Sequence, residues 1–375
     1  MVGEITYNYT PNDWDQKRFL ELGGFTVVFL NYNKAKFIKK SVASALKQDY
    51  PLLEMFFMDD ASTDGSGDTM ERLVREYSGR HKVTVVRNSE NQYITGQWNI
   101  VAKLATGNWL GMFCGDDIAH TNRISLVAGR LRTYPTALGI CTSGNKIDET
   151  TGETMGRLGR PFDFGRLHLM TGCSDLVHIA DEYYSVMGAT AFWHKSLFQD
   201  GIPGVRLDDV ALRWLIMYKT FGNDAINFIW DGTIATIDYQ MGSGITSGYK
   251  TNQDGDCAMR QWQRAILQAR YYARNEFCTW NKIEWFFRTH NAPRSLIDVA
   301  ERTSILNGIV CGSLLYRMRI LPRILCIACR CKHRSPYGKE LLLRWLKVTM
   351  QEFFGLKFAS FISIYVLKRA SCGNE

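Results

Sequence analysis

The sequence lacks several features that define common protein classes. No Gly-x-Gly-x-x-Gly follows the first predicted strand, and no Gly-x-x-x-x-Gly-Lys occurs, which counts against a dinucleotide enzyme and a P-loop NTPase. No uninterrupted apolar stretch reaches the roughly 18–20 residues of a spanning helix. The N-terminus lacks the basic, apolar and small-residue layout of a secretion signal. The ten cysteines show no secreted disulfide pattern, so we expect reduced thiols in a cytosolic compartment.

The composition is that of an ordinary globular protein with an unevenly placed charge. The 375 residues, 46% of them hydrophobic and 22% charged, suffice for one large or two ordinary domains with a real core. The formal net charge is +8, yet thirteen basic and four acidic residues lie from Glu301 onward. The rest of the chain is therefore close to neutral. A basic C-terminal region favours an anionic partner, either a membrane surface or a nucleic acid.

Strand and helix patterns alternate through the first third of the chain. Residues 1–24 are polar and weakly patterned, and we interpret them as an extension. Apolar, β-branched and aromatic runs then predict four buried strands, at 25–30, 54–58, 83–86 and 109–113. Apolar residues at helical spacing lie between these strands. This alternation predicts a parallel sheet with right-handed crossovers.

Polar residues follow the predicted strands and therefore collect at one edge of the sheet, where open α/β sheets bind ligands. Asp116 and Asp117 end the fourth strand. Adjacent carboxylates repel each other, and Mg²⁺ or Mn²⁺, which takes hard oxygen ligands, would relieve that repulsion. The alternative is an acidic turn that caps a helix starting near Thr121. Asp60, after the second strand, can accept hydrogen bonds from a base or ribose, with helix capping as its alternative.

Three segments in order resemble glycosyltransferase family 2. They are the strand and loop at 28–35, the second strand with Asp-Asp-Ala-Ser-Thr-Asp at 59–64, and residues 107–117, which lead into an Asp-x-Asp-type motif. Together they cover about the first third of the chain. The resemblance implies a GT-A fold, an α/β architecture with a mostly parallel central sheet flanked by helices, here with a C-terminal helical extension. It also implies a sugar-nucleotide donor, with a leaning to uridine.

The resemblance also assigns residues to a nucleotide-sugar site and a metal site. In the nucleotide-sugar site, Asp60 hydrogen-bonds the base and Asp116 contacts the sugar or ribose; the other members are Leu30, Asn31, Tyr32 and Asn91. Asp117, with Asp116, holds Mn²⁺ or Mg²⁺ on the donor diphosphate. One departure is Trp98, because many members have an arginine at this position that contacts the diphosphate. Lys34 could replace it, although a solvated lysine is the simpler expectation.

The second half is expected to form the acceptor side. The sequence predicts a short strand at 138–141, a β-hairpin at 145–155 and a strand pair at 225–230 and 233–238. Asp208 and Asp209 open a predicted helix, where the macrodipole alone would favour acids. By motif order, the resemblance makes Asp209 the general base that deprotonates an acceptor hydroxyl. Residues 239–248 are rich in glycine and predict a mobile loop over the donor, without the metal-binding histidine of related enzymes.

The C-terminal region combines basic residues with aromatic and aliphatic ones. Leu341, Trp345 and Met350 lie among Arg344 and Lys347, a pattern typical of an interfacial helix on anionic lipid. The alternative is a helical subdomain or an oligomer contact, so a homo-oligomer stays open. Nucleic acid is the less favoured partner.

The predicted organisation has four parts: an extension at 1–24, a nucleotide-sugar-binding half at 25–135, an acceptor half at 136–255, and a basic helical region at 256–375. We expect an inverting, metal-dependent glycosyltransferase that acts on a glycan or lipid-linked glycan in bacterial surface polysaccharide synthesis. The predicted location is the inner face of the cytoplasmic membrane, with peripheral attachment. Two alternatives are a non-catalytic nucleotide- or glycan-binding module and a nucleic-acid-binding protein that uses the basic tail.

Overall fold

The computed structural model describes most of the first two thirds of the chain and parts of the remainder. The described residues are 3–158, 165–171, 188–199, 225–241, 280–281, 284–285, 287–289, 291, 294–311, 314–330, 345–346 and 349. The chain forms two compact units, Met1–Asn252 and Gln253–Glu375.

The described part of the first unit contains eleven strands in one sheet. The strands are β1 Glu4–Tyr9, β2 Phe25–Asn31, β3 Glu54–Asp59, β4 Lys82–Arg87, β5 Trp109–Cys114, β6 Ile118–Ala119, β7 Gly139–Asp148, β8 Thr154–Arg157, β9 Leu167–Thr171, β10 Phe192–His194 and β11 Ile226–Met241. Their spatial order is β1-β4-β3-β2-β5-β10-β7-β11-β6, with β8 beside β7 and β9 beside β11. The α-helices in the described part of this unit are α1 Gln16–Glu21, α2 Ile38–Leu46, α3 Ser66–Arg75, α4 Tyr93–Leu104 and α5 Arg123–Thr133.

The predicted parallel sheet is confirmed for β2 to β5. β3 pairs in parallel with both β2 and β4, and β5 pairs in parallel with the other side of β2. The chain therefore adds β3 and β4 on one side of β2 and then returns to add β5 on the opposite side. This reversal opens a crevice beyond the carboxyl ends of β2 and β5, the place where doubly wound sheets bind ligands.

The sheet is held by a continuous apolar core. Every residue of β2 and β3 is buried, as expected for parallel strands covered on both faces. Phe29 and Phe57 touch at a ring-centroid distance of 5.1 Å. Val42 of α2 and Met70 of α3 pack into the same cluster. The core fixes where each strand ends, and hence where the polar residues after it lie.

Two sequence expectations about the edges of the sheet are wrong. Residues expected to be an unpatterned extension contain β1, which pairs antiparallel with β4, and the short helix α1. The β-forming and aromatic residues of β1, such as Ile5, Tyr7 and Tyr9, were the available signal. The predicted strand pair at 225–238 is one strand, β11, which runs parallel to β7 with register shifts between Asp231 and Asp238. These irregularities let a single strand continue through residues that resemble a turn.

The acceptor half agrees with the sequence in part. The predicted hairpin is confirmed, because β7 and β8 pair antiparallel, although β7 is longer than the short strand expected. A 3₁₀ turn at Gly188–Thr190 precedes β10, which lies antiparallel between β5 and β7.

The described part of the second unit is helical. α6 spans Arg294–Cys311 and α7 spans Leu314–Arg330. Ile305, Ile309 and Ile324 form a small apolar cluster. Among the helices that the structure describes, none has the length and apolarity required to cross a bilayer.

Candidate active site at the sheet crevice

The carboxylates of Asp116 and Asp117 lie at the crevice between β2 and β5. The turn that carries them is fixed to the sheet, because the backbone N–H of Gly115 donates to the carbonyl of Leu30 at 2.8 Å. A β-carbon at position 115 would stand 3.0 Å from the Asn31 side-chain oxygen and 3.3 Å from the Leu30 carbonyl. Glycine therefore permits the close approach of the two loops. The helix-capping alternative does not describe this turn, since α5 begins at Arg123 with Asn122 before it.

Asp117 is a buried carboxylate without a satisfying partner. The residue is 5% exposed, and within the described residues neither side-chain oxygen has a hydrogen bond of good geometry. Burial raises the pKa of Asp117 well above its usual range, and the neighbouring Asp116 raises it further; the Gln240 backbone and the charges of Arg123 and Lys34 oppose the shift. An orphaned buried carboxylate is costly, and a bound cation would remove that cost. Asp117 thus fits a metal ligand.

Cys114 is the third group of this cluster. One ligand atom each of Cys114, Asp116 and Asp117 lie within 4.8 Å of one another. Burial raises the pKa of the Cys114 thiol, as do the Asp117 and Asp116 carboxylates. Sequence reasoning missed this residue because it was interpreted as the apolar end of β5.

Lys34 is not the solvated lysine that the sequence suggested. Its Nζ lies 2.5 Å from Oδ2 of Asp116, and both side chains are largely shielded, at 23% and 21% exposure. The lysine offsets the Asp116 charge directly. A cation that binds both aspartates has to share Asp116 with this ammonium group or displace it.

Arg123 supports the strand beneath the carboxylates. Its side chain is buried and donates to the carbonyls of Met112 at 2.7 Å and Ala189 at 2.9 Å. The guanidinium lies over the rings of Phe113 and Phe192, at 4.1 and 5.1 Å. Burial lowers the pKa of Arg123 to about 10, while the Cys114 and Asp117 side chains oppose that shift. Arg123 therefore stays cationic at neutral pH and places a positive charge below the site.

The side chain of Asn31, predicted to lie near the base, is buried and connects two loops. Its Nδ2 has acceptors at Asp59 Oδ1, 2.8 Å away, and at the hydroxyls of Ser62 and Ser66, 3.2 and 3.0 Å away. These contacts hold the loops after β2 and β3 together. Tyr32, at 44% exposure, is the neighbouring side chain that the crevice leaves open to solvent.

Asp60 is buried and connects the loop after β3 to the start of α4. It accepts hydrogen bonds from Nδ2 of Asn88 and from the backbone N–H groups of Gln92 and Tyr93, at 2.8, 2.8 and 3.0 Å. Burial raises the pKa of Asp60, against these hydrogen bonds. Asp60 therefore accepts hydrogen bonds from N–H groups at the N-terminus of α4, as the helix-capping alternative expects. Asn91 lies in the loop between β4 and α4, and its side-chain oxygen accepts a hydrogen bond from the Tyr93 N–H at 2.9 Å.

Backbone strain collects around the same crevice. Asn33, Ala61 and Tyr93 have φ angles of 54°, 61° and 58°, and they follow β2, β3 and β4 respectively. Side-chain-bearing residues adopt this left-handed conformation at an energetic cost, and such residues cluster at functional sites.

Two cavities lie at opposite ends of β5. The one beside Asp116 has a volume of about 110 Å³, and its lining includes Lys36, Lys40, Glu149 and Gln240. A larger one, about 460 Å³, is lined by Asn108, just before β5, and by His194. This larger cavity is at the amino end of the strand and away from the carboxylates.

Trp98, which departs from the family pattern, and His194 both make structural contacts. Trp98 is buried and stacks on Phe198 at 5.5 Å. His194 contacts Trp109 edge-on at 5.2 Å, its Nδ1 lies 2.8 Å from the Ser196 hydroxyl, and burial lowers its pKa. These contacts give His194 a structural role.

A polar cluster that sequence reasoning missed joins three distant segments. Nε2 of His120 lies 2.9 Å from Oδ1 of Asp238, which also accepts from Nδ2 of Asn145 at 2.9 Å. No local motif announces this arrangement, because β6, β7 and β11 bring the residues together only in the folded sheet. The predicted base Asp209, its neighbour Asp208 and residues 242–248 of the predicted loop lie outside the described residues. The first three residues of that predicted loop, 239–241, belong to β11 instead.

The parallel sheet with a carboxylate pair at its crevice is the GT-A class of fold. Residues 26–190 match the family model described as Glycosyl transferase family 2, which confirms the resemblance predicted from the sequence. A chondroitin synthase of Escherichia coli is 29% identical over 117 residues, covering 31% of this chain and 16% of that protein. The E. coli UDP-Glc:alpha-D-GlcNAc-diphosphoundecaprenol beta-1,3-glucosyltransferase WfaP is 27% identical over 100 residues, covering 27% and 38%. The match thus spans well under half of either relative.

Two solved structures are similar to this chain at low sequence identity. S. aureus TarS 1–349 in complex with UDP-GlcNAc has a TM-score of 0.49 at 14% identity and covers 88% of this chain and 92% of its own. The mannosyltransferase PcManGT from Pyrobaculum calidifontis, in complex with GDP-Man and Mn²⁺, has a TM-score of 0.45 at 16% identity and covers 90% and 92%.

Proposed function

We propose that the protein is an inverting glycosyltransferase that transfers a sugar from a nucleotide-sugar donor, a UDP-sugar, to a hydroxyl of a glycan or lipid-linked glycan. The observation that carries this proposal is the orphaned carboxylate of Asp117 beside Asp116 at the crevice. Matches to sugar-nucleotide enzymes support the reaction class, and one relative is named for a diphosphoundecaprenol acceptor. Synthesis of a bacterial surface polysaccharide is the proposed setting.

The residues of the crevice have distinct roles in this proposal. Asp117 and Asp116 would hold Mg²⁺ or Mn²⁺, which when bound offsets negative charge on the diphosphate leaving group. The Lys34 ammonium contacts Asp116. Once a cation binds Asp116, Lys34 would be free to neutralise a phosphate of the donor. Tyr32 offers an exposed ring to a base, and Asp60 fixes the loop that would border it. Asp209 would remove the acceptor proton, and a single displacement gives inversion.

Metal-dependent nucleotide binding tests the donor assignment. We expect UDP to bind in the presence of Mn²⁺, with little binding once EDTA removes the cation, because the two aspartates and a diphosphate share one ion. Calorimetric titration of UDP, GDP, CDP and ADP, with and without Mn²⁺, measures this. No binding of any of the four would contradict the proposal. Binding without transfer of any sugar from the matching donor would instead favour the non-catalytic module.

We further propose that the second unit attaches the protein peripherally to the inner face of the cytoplasmic membrane. Met318, Arg319, Pro322 and Leu325 are exposed and follow the spacing of one face of α7. Apolar and basic groups on one helix face suit an interface with anionic lipid.

Vesicle flotation tests the membrane assignment. The chain is expected to float with phosphatidylglycerol vesicles, less with phosphatidylcholine vesicles, and a double variant Met318→Asp and Leu325→Asp should lose most of this binding. The matched control is Met155→Asp, which adds a carboxylate at an equally exposed site, 54% against 52% for Met318, in the first unit. Retained flotation of the double variant would contradict the assignment. Salt-sensitive shifts with nucleic acid would support the alternative use of the basic region.

A further inference from the structure

Cys114 has no role in the proposed binding of Mg²⁺ or Mn²⁺ by Asp116 and Asp117. Its sulfur belongs to the same cluster as the Asp116 and Asp117 oxygens, all within 4.8 Å. The cluster is more than an acidic turn beside a thiol, because Asp117 is 5% exposed and, among the described residues, both its oxygens lack a well-formed hydrogen bond. A buried carboxylate without a well-formed hydrogen bond, with a thiol sulfur within 4.8 Å, points to a ligand shared by the two groups.

We propose that Cys114, Asp116 and Asp117 form a mixed sulfur–oxygen site that binds a thiophilic cation, Zn²⁺ or Cd²⁺, in competition with Mg²⁺ or Mn²⁺. The inference deepens the proposed function and rests on it for the role of the hard cation. The consequence is regulation: a thiophilic cation would occupy the carboxylates and reduce transfer.

Ligand chemistry gives the direction of the competition. Thiolate ligands favour Zn²⁺ and similar soft or borderline ions, whereas carboxylate oxygens alone suit Mg²⁺ and Mn²⁺, and Zn²⁺ stands above Mn²⁺ in general affinity for divalent sites. Zinc takes ligand distances of about 2.3 Å to sulfur and about 2.0–2.2 Å to oxygen. Ligand atoms within 4.8 Å of one another need small side-chain rotations to meet one ion.

The proton balance of binding is simple. A cysteine ligates as the thiolate, so binding transfers the thiol proton to buffer. The two carboxylates and the thiolate together offer three negative charges to one dication. Three protein ligands leave an open position, which a diphosphate oxygen or water can fill.

The surroundings limit the site to a single ion. Lys34 contacts Asp116 on the open side at 2.5 Å, and the cationic Arg123 lies below, donating to the Met112 carbonyl of β5. Both charges oppose a second dication. We therefore expect one thiophilic ion per chain at this site.

Ultraviolet titration with Cd²⁺ tests the proposal, because a cadmium–thiolate bond gives a sulfur-to-metal charge-transfer absorption. Wild type should show a Cys114-dependent part of this absorption that saturates at one ion per chain, beside any absorption from the other nine cysteines. Cys114→Ser should lose that part, and the ratio of Cd²⁺ to Mn²⁺ affinity should fall about tenfold or more, at least the effect of removing an outer-shell partner of a ligand. The matched control Cys141→Ala, which removes a buried thiol of β7, should retain the absorption.

Protection from alkylation supplies a second measurement that needs no variant. Bound Cd²⁺ should slow iodoacetamide labelling of Cys114 in wild type, as located by peptide mass spectrometry, while Mg²⁺ should not. An unchanged labelling rate, or an absorption of equal amplitude in folded Cys114→Ser and in wild type, would overturn the proposal. Calorimetry of UDP with Mn²⁺ on the same preparation separates the two ideas. Mn²⁺-dependent UDP binding without a Cys114-dependent cadmium absorption would leave the proposed function and remove this inference. A Cys114-dependent absorption without Mn²⁺-dependent UDP binding would leave the mixed sulfur–oxygen site and remove the proposed function.

Discussion

Asp117→Asn is expected to abolish Mn²⁺-dependent nucleotide binding and, in the same protein, to raise the stability of the cation-free fold. Asparagine has the same shape but a weaker ligand oxygen and no charge. Outer-shell partners of metal ligands alone contribute about 10–100-fold to affinity or activity, so loss of a ligand should reduce nucleotide binding by about 100-fold or more. Calorimetry with UDP and Mn²⁺ measures this loss.

The stability gain follows from the burial of the same group. A charge that is 5% exposed and lacks a well-formed hydrogen bond in the described part of the chain destabilises the native state unless it is neutralised. Without metal, the free energy of unfolding of the variant should therefore exceed that of wild type by about 1 kcal/mol or more. The variant should accordingly unfold at a higher temperature. Added Mn²⁺ should raise the unfolding temperature of wild type but not that of Asp117→Asn.

A matched substitution guards against a general effect of removing carboxylates. Asp68→Asn changes an 80% exposed side chain of α3 that pairs with Arg87, and it should leave both nucleotide binding and the metal-induced stabilisation unchanged. Equal Mn²⁺-dependent binding by Asp117→Asn and wild type would remove the metal assignment.

The sequence could predict the crevice because the patterns that define it lie within short segments of the chain. The apolar runs of β2, β3 and β5 are each followed at once by polar residues, and parallel pairing brings those ends together. The positions of Asn31, Asp60, Asp116 and Asp117 at one sheet edge follow from that pairing alone.

What the sequence could not predict depends on contacts between distant segments. The side chain of Asn31 is buried because Ser62 and Ser66 surround it, and the Lys34 ammonium reaches Asp116, 82 residues away. Local sequence patterns do not predict contacts between residues that are far apart in the chain. β1 was missed for a related reason, since its pairing with β4 completes the sheet edge while its own burial is slight.

Asp209→Asn is expected to reduce transfer by about 100- to 10,000-fold, the usual contribution of a positioned general base. Binding of UDP with Mn²⁺ should be unchanged, because the residue would act on the acceptor hydroxyl and not on the donor. In the sequence, the pair Asp208 and Asp209 follows the metal motif and opens a predicted helix, and this motif order assigns the base to Asp209. Steady-state kinetics beside calorimetry separates the two effects.

Asp208→Asn is the matched control, since both residues would benefit equally from the positive end of a helix dipole. If capping were the whole role, each substitution would cost about 0.3–1 kcal/mol of stability and leave the turnover number close to wild type. If Asp209 is the base, its substitution alone should lower the turnover number and remove the acidic limb of the pH–rate profile. Loss of turnover in Asp208→Asn with full activity in Asp209→Asn would transfer the role to the neighbouring residue. Full activity in both variants would contradict a carboxylate base at this position.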